Sequence, residues 1–345
     1  MKENETIEDI RLLLQGGEYE FLGNNPHLGK NILFLCLGGS YAYGTNTETS
    51  DVDLRGCTRN TKHEILTGEY FEQFVDEDTD TIIYSFHKLI SLLVNVNPNT
   101  IEMLGCRPEH YLYISPVGQE LLNQAHLFLS KRAVYSFGGY ANAQLQRLNT
   151  KAARHVPQPE QEQHILNTIN HAFCTFPDKY FTFPEDSIRL YIDKAVQKDF
   201  DTEIFMDVNL HHYPLRDYKC MWSEMHTIVK SYAHLGHRNK HAIEHNKIGK
   251  HMMHLLRLYM MCLDILEKEE IITYREKEHA LLTDIRNGKY QDDRDQPTKE
   301  FFEIVHEYEC KLDYAKEHTN LPEVPDQKAI NDFVEYVNEK VVKGE

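Results

Sequence analysis

Short apolar runs in the first third of the chain are separated by polar and turn-forming stretches. Residues 31–37 (NILFLCL) are almost entirely apolar and are flanked by glycines, which predicts a buried strand. Residues 80–86 (DTIIYSF) predict another strand. Between them the positions alternate, so that Asp51, Asp53 and Arg55 share one face of a predicted half-buried strand. We expect this polar face to point into a cleft.

The rest of the chain is mainly helical by pattern. Asn97-Pro98-Asn99 ends a predicted helix over residues 87–96. Residues 176–215 are aromatic and β-prone, which predicts a short hairpin or excursion. Further helical segments are predicted at 6–15, at 117–150, at 243–268 and after 327. The pattern therefore indicates a small α/β unit with a helical extension.

Composition and charge narrow the classes of function. The chain has 345 residues, enough for two domains, and a formal net charge of −17. No apolar stretch approaches the ~20 residues of a membrane span, and the polar, acidic first residues do not resemble a signal peptide. Seven cysteines without a CxxC pair favour reduced thiols in a cytosol. Because so acidic a chain has no overall attraction for nucleic acid, a polyanion must meet a local basic surface or approach through metal ions.

The stretch Gly38–Gly56 (GGSYAYGTNTETSDVDLRG) contains the residues best suited to catalysis. Backbone N–H groups at Gly39 and Ser40, with the Ser40 hydroxyl, can hold a triphosphate. On one face of a strand, Asp51 and Asp53 have Cα atoms roughly 6.5–7 Å apart, so their carboxylates can converge on Mg²⁺. A third carboxylate would complete the site. Asp80 is the first candidate and Asp78 the second.

Each part of this pattern has a simpler explanation when taken alone. A Gly-Gly-Ser turn is common, and an Asp-x-Asp pair is usually solvated at the surface. Their order and spacing, between two predicted strands, favour a combined phosphate and metal site over two unrelated features.

Several basic side chains are candidates for contact with phosphates. Arg55 either contacts a phosphate or neutralises the two aspartates on its face. Lys88, early in the helix after the strand at 80–86, is expected to reach the cleft. The remaining candidates are Lys250, His254 and Arg257, which share a helical stripe with Lys247. The opposite stripe of that helix is predicted to face the core. The alternative to phosphate contact is that the basic stripe is a solvated helix face.

Other polar and aromatic residues have mainly structural interpretations. For Tyr41 and Tyr43 packing is favoured over stacking on a base. Glu102 either accepts N–H bonds from the motif loop or belongs to the first turn of a helix. One helical face holds three histidines, but metal binding is disfavoured there because no closing ligand or zinc motif accompanies His237, His241 and His245.

The combined motif resembles the DNA polymerase β–type nucleotidyltransferase superfamily. Its core motif joins a hydrophobic residue and Gly-Ser to a later Asp-h-Asp-h, here Leu37–Ser40 and Asp51–Leu54. Longer strings are similar to the bacterial and phage members of its RNA repair pathway nucleotidyltransferase-like family, namely YGTNTETSDVDLRG, HKLISLLVNVNPNTIEML, KHMMHLLRLYMMCLDIL and IRNGKY. The resemblance extends from about residue 30 to residue 292.

The resemblance and the pattern together imply an α+β fold. We expect a small mixed-sheet catalytic domain at residues 1–125 and a mostly helical domain at 126–345, with the β-prone excursion near 176–215. The resemblance implies two Mg²⁺ (or Mn²⁺) ions and a nucleoside triphosphate such as ATP. It assigns phosphate binding to Gly39 and Ser40 and metal binding to Asp51 and Asp53, with Asp80 as the third acid.

The implied reaction is attack of an acceptor hydroxyl on the α-phosphorus with release of pyrophosphate. A tRNA-like RNA end is the favoured acceptor, whereas a protein hydroxyl suits the acidic charge better. A non-catalytic nucleotide-binding module is a further alternative, which the intact pair Asp51 and Asp53 disfavours. A structural phage protein would bind no nucleotide at all. The expected compartment is the cytosol of a bacterium or of a phage-infected host.

Overall fold

The computed structural model describes residues 6–48, 50–69, 71–152, 163, 166–167, 187–194, 196, 202–233, 248–293 and 296–344. The chain forms two compact units. The first comprises Met1–Gln144, Met253–Lys289 and Lys299–Glu345, and the second comprises Leu145–Met252 and Tyr290–Thr298. This grouping by contacts does not test where a separately folding domain ends, so the division near residue 125 stays a prediction.

The first unit contains a mixed five-stranded sheet. Its strands are β1 (Ile32–Leu37), β2 (Leu54–Thr58), β3 (Gln73–Asp76), β4 (Thr81–Ser85) and β5 (Tyr111–Ile114). Their order is β3-β4-β2-β1-β5, and only the β2–β4 pairing within this sheet is parallel. The predicted mixed sheet and α+β class are therefore confirmed.

The strand after the motif begins later than the sequence pattern predicts. Strand β2 starts at Leu54, whereas Asp51 and Asp53 lie in the irregular segment before it. The prediction of a strand from Asp51 was wrong because the alternation of polar and apolar residues continues into the loop, where no neighbouring strand pairs with Asp51. Gly38 N–H still donates to the carbonyl oxygen of Asp53 at 2.8 Å.

Apolar packing fixes the ends of the two strands that flank the motif. Leu37, the last residue of β1, is paired in register with Leu54, the first residue of β2. Both are buried, and they pack in one cluster with Ile10, Tyr19 and Tyr41. Burying side chains of this size contributes roughly 1.5–3 kcal/mol each. The start of the motif loop and its end are thus held side by side.

Helices were predicted at 6–15, 87–96 and 117–150 of the sheet-containing region, and the last stretch is two helices rather than one. The helices are α1 (Ile7–Leu13), α2 (Phe21–Asn24), α3 (Gly39–Tyr43), α4 (Lys62–Thr67), α5 (Phe86–Val94), α6 (Pro98–Ile101), α7 (Pro116–Asn123) and α8 (Arg132–Ala152). The short helices α2, α3 and α4 were not predicted. Asn97 caps α6 by accepting from the N–H of Asn99 at 3.0 Å, as a helix-stop and cap role predicts.

The later chain contains a hairpin and five longer helices among the described residues. Strands β6 (Ile188–Lys194) and β7 (Thr202–Val208) pair antiparallel, which confirms the β-prone excursion. The helices are α9 (Leu215–Ala233), α10 (Ile248–Lys268), α11 (His279–Arg286), α12 (Lys299–His318) and α13 (Gln327–Lys343). Within the described ranges, no helix has the length and apolarity that crossing a membrane requires.

Helix α10 is buried on every side for much of its length. Each side chain from Leu255 to Leu266 is buried, including those of Arg257 and Asp264. The spacing of residues predicted a basic stripe on one side of this helix and a core-facing stripe on the other. Leu256 and Tyr259 are buried, as predicted for the core-facing stripe. Arg257, predicted for the basic stripe, is buried as well.

Candidate functional site

Two glycines leave room for acidic and basic side chains over the motif turn. Gly39 has a φ of +52°, and a Cβ atom there would lie 1.6 Å from Oδ2 of Asp53. A Cβ at Gly38 would lie 2.8 Å from Cγ of Arg55. Only glycine fits at position 39, because both the left-handed backbone and the contact with the carboxylate exclude a side chain. The turn that begins at Gly38 and the acid at Asp53 are therefore in direct contact.

Parallel pairing of β2 and β4 brings a second acid to the same edge of the sheet. Leu54 is in register with Thr81, and Leu54 N–H donates to the carbonyl oxygen of Asp80 at 3.3 Å. Asp53 and Asp80 each immediately precede one of these paired residues. Asp80 has a φ of 45°, a sparsely populated conformation for a non-glycine residue. The pairing of β2 and β4 therefore brings Asp53, one of the two motif acids, and Asp80 to the same end of the two strands.

Arg55 lies between these two acids. Its Nη2 is 3.1 Å from Oδ1 of Asp80 and 3.8 Å from Oδ1 of Asp53. Its Nη1 donates to the carbonyl oxygens of Leu54 and Asp80. The side chains of Arg55 and Asp53 are each 19% exposed, and that of Asp80 is 55% exposed, so solvent reaches the group. Arg55 therefore acts here as a counter-cation to Asp53 and Asp80, whereas the sequence suggested Asp51 and Asp53 as the acids that it would neutralise.

The other acids of the run at 76–80 differ from Asp80 in their contacts. Asp76 accepts hydrogen bonds from the N–H and hydroxyl of Thr79, at 3.0 Å and 2.7 Å, and so stabilises the turn before β4. Asp80 is the acid of this run for which a contact with Arg55 is present. Its position favours Asp80 over Asp78 as the third acid.

The donor types at this edge suit a hard divalent cation. Asp51 is exposed in the loop before β2, two residues from Asp53, and both offer carboxylate oxygens, which Mg²⁺ prefers. In the part of the chain that is described, no group of three or more His, Cys, Asp or Glu side chains is arranged to hold a metal ion. Mg²⁺ commonly uses one or two protein carboxylates and completes its shell with water and substrate phosphates. Asp51 and Asp53 fit that arrangement, and Arg55 lies closer to Asp80, at 3.1 Å, than to Asp53, at 3.8 Å.

Lys88 lies at the other end of the parallel strand pair. It follows β4, and its Nζ is 3.2 Å from Oε2 of Glu72. Glu72 in turn bonds through its carbonyl oxygen to the N–H of Ser85, the last residue of β4. Strand β4, about 13 Å long at roughly 3.3 Å per residue, lies between Asp80 and this end. Lys88 is paired with Glu72 there, and its contact with the triphosphate stays a prediction.

The three basic candidates of helix α10 lie in different environments. Lys250 is exposed and belongs to the second compact unit. Nδ1 of His254 is 3.1 Å from Nη2 of Arg257, and Arg257 is 1% exposed. Arg257 is thus a core side chain rather than part of a solvated stripe. Lys247 and the histidines at 237, 241 and 245 lie outside the described residues.

A buried polar network lies beneath the motif helix α3. The hydroxyl of Tyr43 donates to Oε1 of Glu102 at 2.9 Å, and Nη1 of Arg257 donates to Oε2 at 2.9 Å. The guanidinium carbon of Arg257 is 3.6 Å from the centroid of the Tyr43 ring. Burial raises the pKa of Tyr43, so its hydroxyl stays protonated and donates to the carboxylate. We call Tyr43, Glu102 and Arg257 the buried network.

The buried network was only partly visible in the sequence. Packing of Tyr43 was expected, and Glu102 was expected to hold the motif by accepting backbone N–H bonds. Its acceptor contacts are instead with the Tyr43 hydroxyl and the Arg257 guanidinium. Glu102 and Arg257 each lie within a largely apolar run of the sequence. Because buried charges are almost always paired, this position could have indicated that the two residues are partners.

The chain after α10 supports the outer side of the motif loop. The backbone N–H of Arg275 donates to the carbonyl oxygen of Tyr43 at 3.1 Å. The Tyr274 ring packs against Gly44, where a Cβ atom would lie 2.4 Å from Cε2 of Tyr274. Nη1 of Arg286 donates to the carbonyl oxygen of Thr45. Arg286, in the string IRNGKY, was expected to end a helix with Asn287 and Gly288, and α11 does end there. The contacts of Arg275 and Arg286 with the motif loop were not predicted.

Comparison with known proteins adds a family to this geometry. Residues 19–164 match the sequence model of the RNA repair pathway DNA polymerase beta family. The match includes the glycine turn, Asp51, Asp53 and Asp80, and it confirms the resemblance found in the sequence. No curated protein and no solved structure shows significant similarity to the chain. Arg257 and Arg286 lie beyond the matched residues.

Proposed function

We propose that the protein is a nucleotidyltransferase that transfers a nucleoside monophosphate from a nucleoside triphosphate to a hydroxyl at an RNA end. The premise is the match of residues 19–164 to the RNA repair pathway DNA polymerase beta family. The observation that carries the proposal is the contact between Gly39 and the carboxylate of Asp53. It joins a turn suited to phosphates with an acid suited to cations.

In this proposal the motif residues bind and orient the triphosphate. The N–H groups of the turn and the hydroxyl of Ser40 hold phosphate oxygens. Asp51 and Asp53, with Asp80, would hold two Mg²⁺ or Mn²⁺ ions. When bound, such ions neutralise phosphate charge and lower the pKa of the acceptor hydroxyl. Arg55, which pairs with Asp53 and Asp80 here, would be available to a phosphate oxygen when those acids hold cations.

The bond changes follow the general scheme of phosphoryl transfer. The acceptor hydroxyl loses its proton, its oxygen bonds to the α-phosphorus, and the bond from that phosphorus to the oxygen bridging to the β-phosphate breaks. Pyrophosphate leaves with the negative charge. The protein contributes positioning and charge neutralisation, which are the main sources of rate enhancement in such reactions.

An RNA acceptor is proposed on the basis of the family. The chain has a formal net charge of −17, so RNA would approach through bound cations and a local basic surface rather than through a general attraction. Lys250 is exposed and is a candidate for that surface. We place the reaction in the cytosol of a bacterium or a phage-infected host, which is where scattered reduced cysteines are expected.

The test is transfer of label from each α-labelled nucleoside triphosphate in the presence of Mg²⁺ or Mn²⁺, with total host RNA and host protein supplied separately. We expect label at RNA ends. Label found only in protein would replace the RNA acceptor with a protein hydroxyl. Tight ATP binding with no transfer to either would indicate a non-catalytic binding module.

A further inference from the structure

Arg286, at the end of helix α11, reaches the loop that joins the two halves of the motif. Its Nη1 donates to the carbonyl oxygen of Thr45, and its Nη2 is 3.2 Å from the hydroxyl of Ser50. Thr45 N–H donates to the carbonyl oxygen of Ser40 at 2.9 Å, and Ser50 immediately precedes Asp51. Arg286 therefore contacts both ends of the segment between the phosphate turn and the first acid.

The positive charge of Arg286 lacks an acidic partner among the described residues. Three other arginines of the same compact unit have one: Arg257 pairs with Glu102, Arg275 with Asp264 and Arg107 with Glu276. Arg59 and Arg132 resemble Arg286, because they are partly buried and hydrogen-bonded but form no ion pair among the described residues. Asp284, two residues before Arg286, pairs with Lys289 at 2.6 Å. Arg286 is partly buried, and this desolvation lowers the pKa of its guanidinium.

An unpaired, partly desolvated cation is unfavourable unless something else compensates it. Removing a charge from water costs free energy that a nearby opposite charge or hydrogen-bonded anion recovers. A guanidinium has five N–H donors in a planar fork that matches phosphate oxygens. Two of the five donate to Thr45 and Ser50, which leaves three for another acceptor. A bound anion beside this loop would meet both requirements.

We propose that Arg286 binds the triphosphate of the nucleotide substrate and links it to the loop between Ser40 and Asp51. This inference rests on the proposed function, because it names a further ligand of the same triphosphate. A triphosphate is favoured over a nucleic-acid backbone because the contacts of Arg286 are with the loop that continues directly from the phosphate turn to the acids. Phosphate binding and loop positioning then depend on a single side chain.

The direct test is calorimetric titration with ATP and with tripolyphosphate, both in Mg²⁺, of the wild-type protein and of Arg286→Gln. We expect the variant to bind both ligands about 10- to 100-fold more weakly. The matched control is Arg11→Gln, because Arg11 also donates to two backbone carbonyls, those of Tyr111 and Leu112, outside the motif. We expect its affinities to stay within about twofold of wild type.

A second measurement uses the wild-type protein and therefore does not depend on the folding of a variant. An arginine-selective dicarbonyl reagent is applied with and without ATP, and modification is mapped by mass spectrometry. We expect ATP to slow modification of Arg286 at least about fivefold and to leave Arg11 unchanged. Equal modification of Arg286 in both samples would overturn the inference.

These outcomes separate the inference from the proposed function. If Arg286→Gln binds ATP and tripolyphosphate as wild type does, or weakens only RNA binding, Arg286 is not a triphosphate ligand although transfer activity stands. If ATP binding weakens but the wild-type protein labels neither RNA nor protein, Arg286 remains a ligand and the proposed transfer is wrong. If the wild-type protein binds neither ATP nor tripolyphosphate, both are wrong.

Discussion

Two arginine–carboxylate groups on either side of the motif turn differ in their access to water. At the sheet edge, Arg55 is shared by Asp53 and Asp80, with side chains 19–55% exposed. In the buried network, the side chains of Arg257 and Glu102 are 1% and 9% exposed. The chemical groups are the same, but their surroundings give them different uses.

Solvent access determines how readily an ion pair can change partners. Solvated pairs typically contribute ~0–1 kcal/mol, so another cation can replace the arginine at little cost. Breaking a buried pair by removing one partner typically costs about 3–5 kcal/mol, because the remaining charge is left uncompensated. The sheet edge is therefore suited to exchanging cations during a reaction, and the buried network to holding α3 in place.

The largest effect is expected from removing the acids of the sheet edge. The double variant Asp51→Asn/Asp53→Asn should lower nucleotide incorporation by about 10⁴-fold or more, since bound metal ions supply several kcal/mol of transition-state stabilisation and each ~1.4 kcal/mol is tenfold. Incorporation of α-labelled nucleotide measures this loss. The thermal unfolding midpoint should change little, because these carboxylates are partly or fully exposed.

A matched control for this variant is Glu77→Gln, which removes an exposed acid from the turn before β4. We expect its activity to stay within about twofold of wild type. Full activity of the double variant would show that the sheet-edge acids do not hold the reacting nucleotide. The functional difference inferred between the sheet edge and the buried network would then be wrong.

The next largest effect is expected in the buried network. Glu102→Gln removes the carboxylate between Tyr43 and Arg257 and should lower the free energy of unfolding by about 3–5 kcal/mol, as measured by urea denaturation. Adding Arg257→Met removes the stranded charge, so the double variant should recover part of this loss. If Glu102→Gln lowers the free energy of unfolding by less than about 1 kcal/mol, the Glu102–Arg257 pair contributes no more than a solvated ion pair.

The sequence was sufficient for features that depend on local pattern. The apolar run of β1, the strand β4 and the convergence of Asp53 with an acid before β4 all follow from residue periodicity and motif spacing. The edge strands β3 and β5 did not, because each has only 4 residues, too few for a period to stand out in the sequence. The buried network joins residues 155 positions apart, a distance at which one sequence carries no pairing signal.

Burial all around a helix is also difficult to predict from periodicity. The basic residues of α10 fall on one stripe, and a stripe is normally taken to face solvent. Arg257 instead lies under Tyr43, because Glu102 supplies its counter-charge there. Lys88 lies on the helix after β4, as its sequence position predicts, but its pairing with Glu72 was not predicted.

A smaller effect, on both regions at once, is expected from Gly39→Ala. The left-handed backbone costs an alanine roughly 1–2 kcal/mol, and the added methyl must displace the Asp53 carboxylate. We expect a modest fall in the unfolding midpoint and about a 10- to 100-fold loss of incorporation, since misplacement by about 1 Å can reduce rates to this extent. A large loss of incorporation with a small fall in the unfolding midpoint would show that Gly39 mainly positions the Asp53 carboxylate rather than stabilising the fold.

Gly138→Ala is the control for this substitution. Gly138 lies within helix α8, and a Cβ there would meet no atom within 4 Å. Alanine should therefore stabilise the helix by about 0.5–1 kcal/mol without altering incorporation. Equal losses of activity in the two glycine variants would indicate a general loss of packing rather than a displaced carboxylate.

The smallest effect is expected from Lys88→Ala, and it tests where along β4 the triphosphate lies. Lys88 and Glu72 are a partly exposed pair at the end of the strand away from Asp80, so the variant should lose less than about 1 kcal/mol of stability. Its affinity for Mg²⁺–ATP should stay within about twofold of wild type, whereas Arg55→Ala should weaken binding about tenfold. An equal loss in both variants would require the triphosphate to extend about 13 Å along β4, beyond the edge at which Asp53 contacts Gly39.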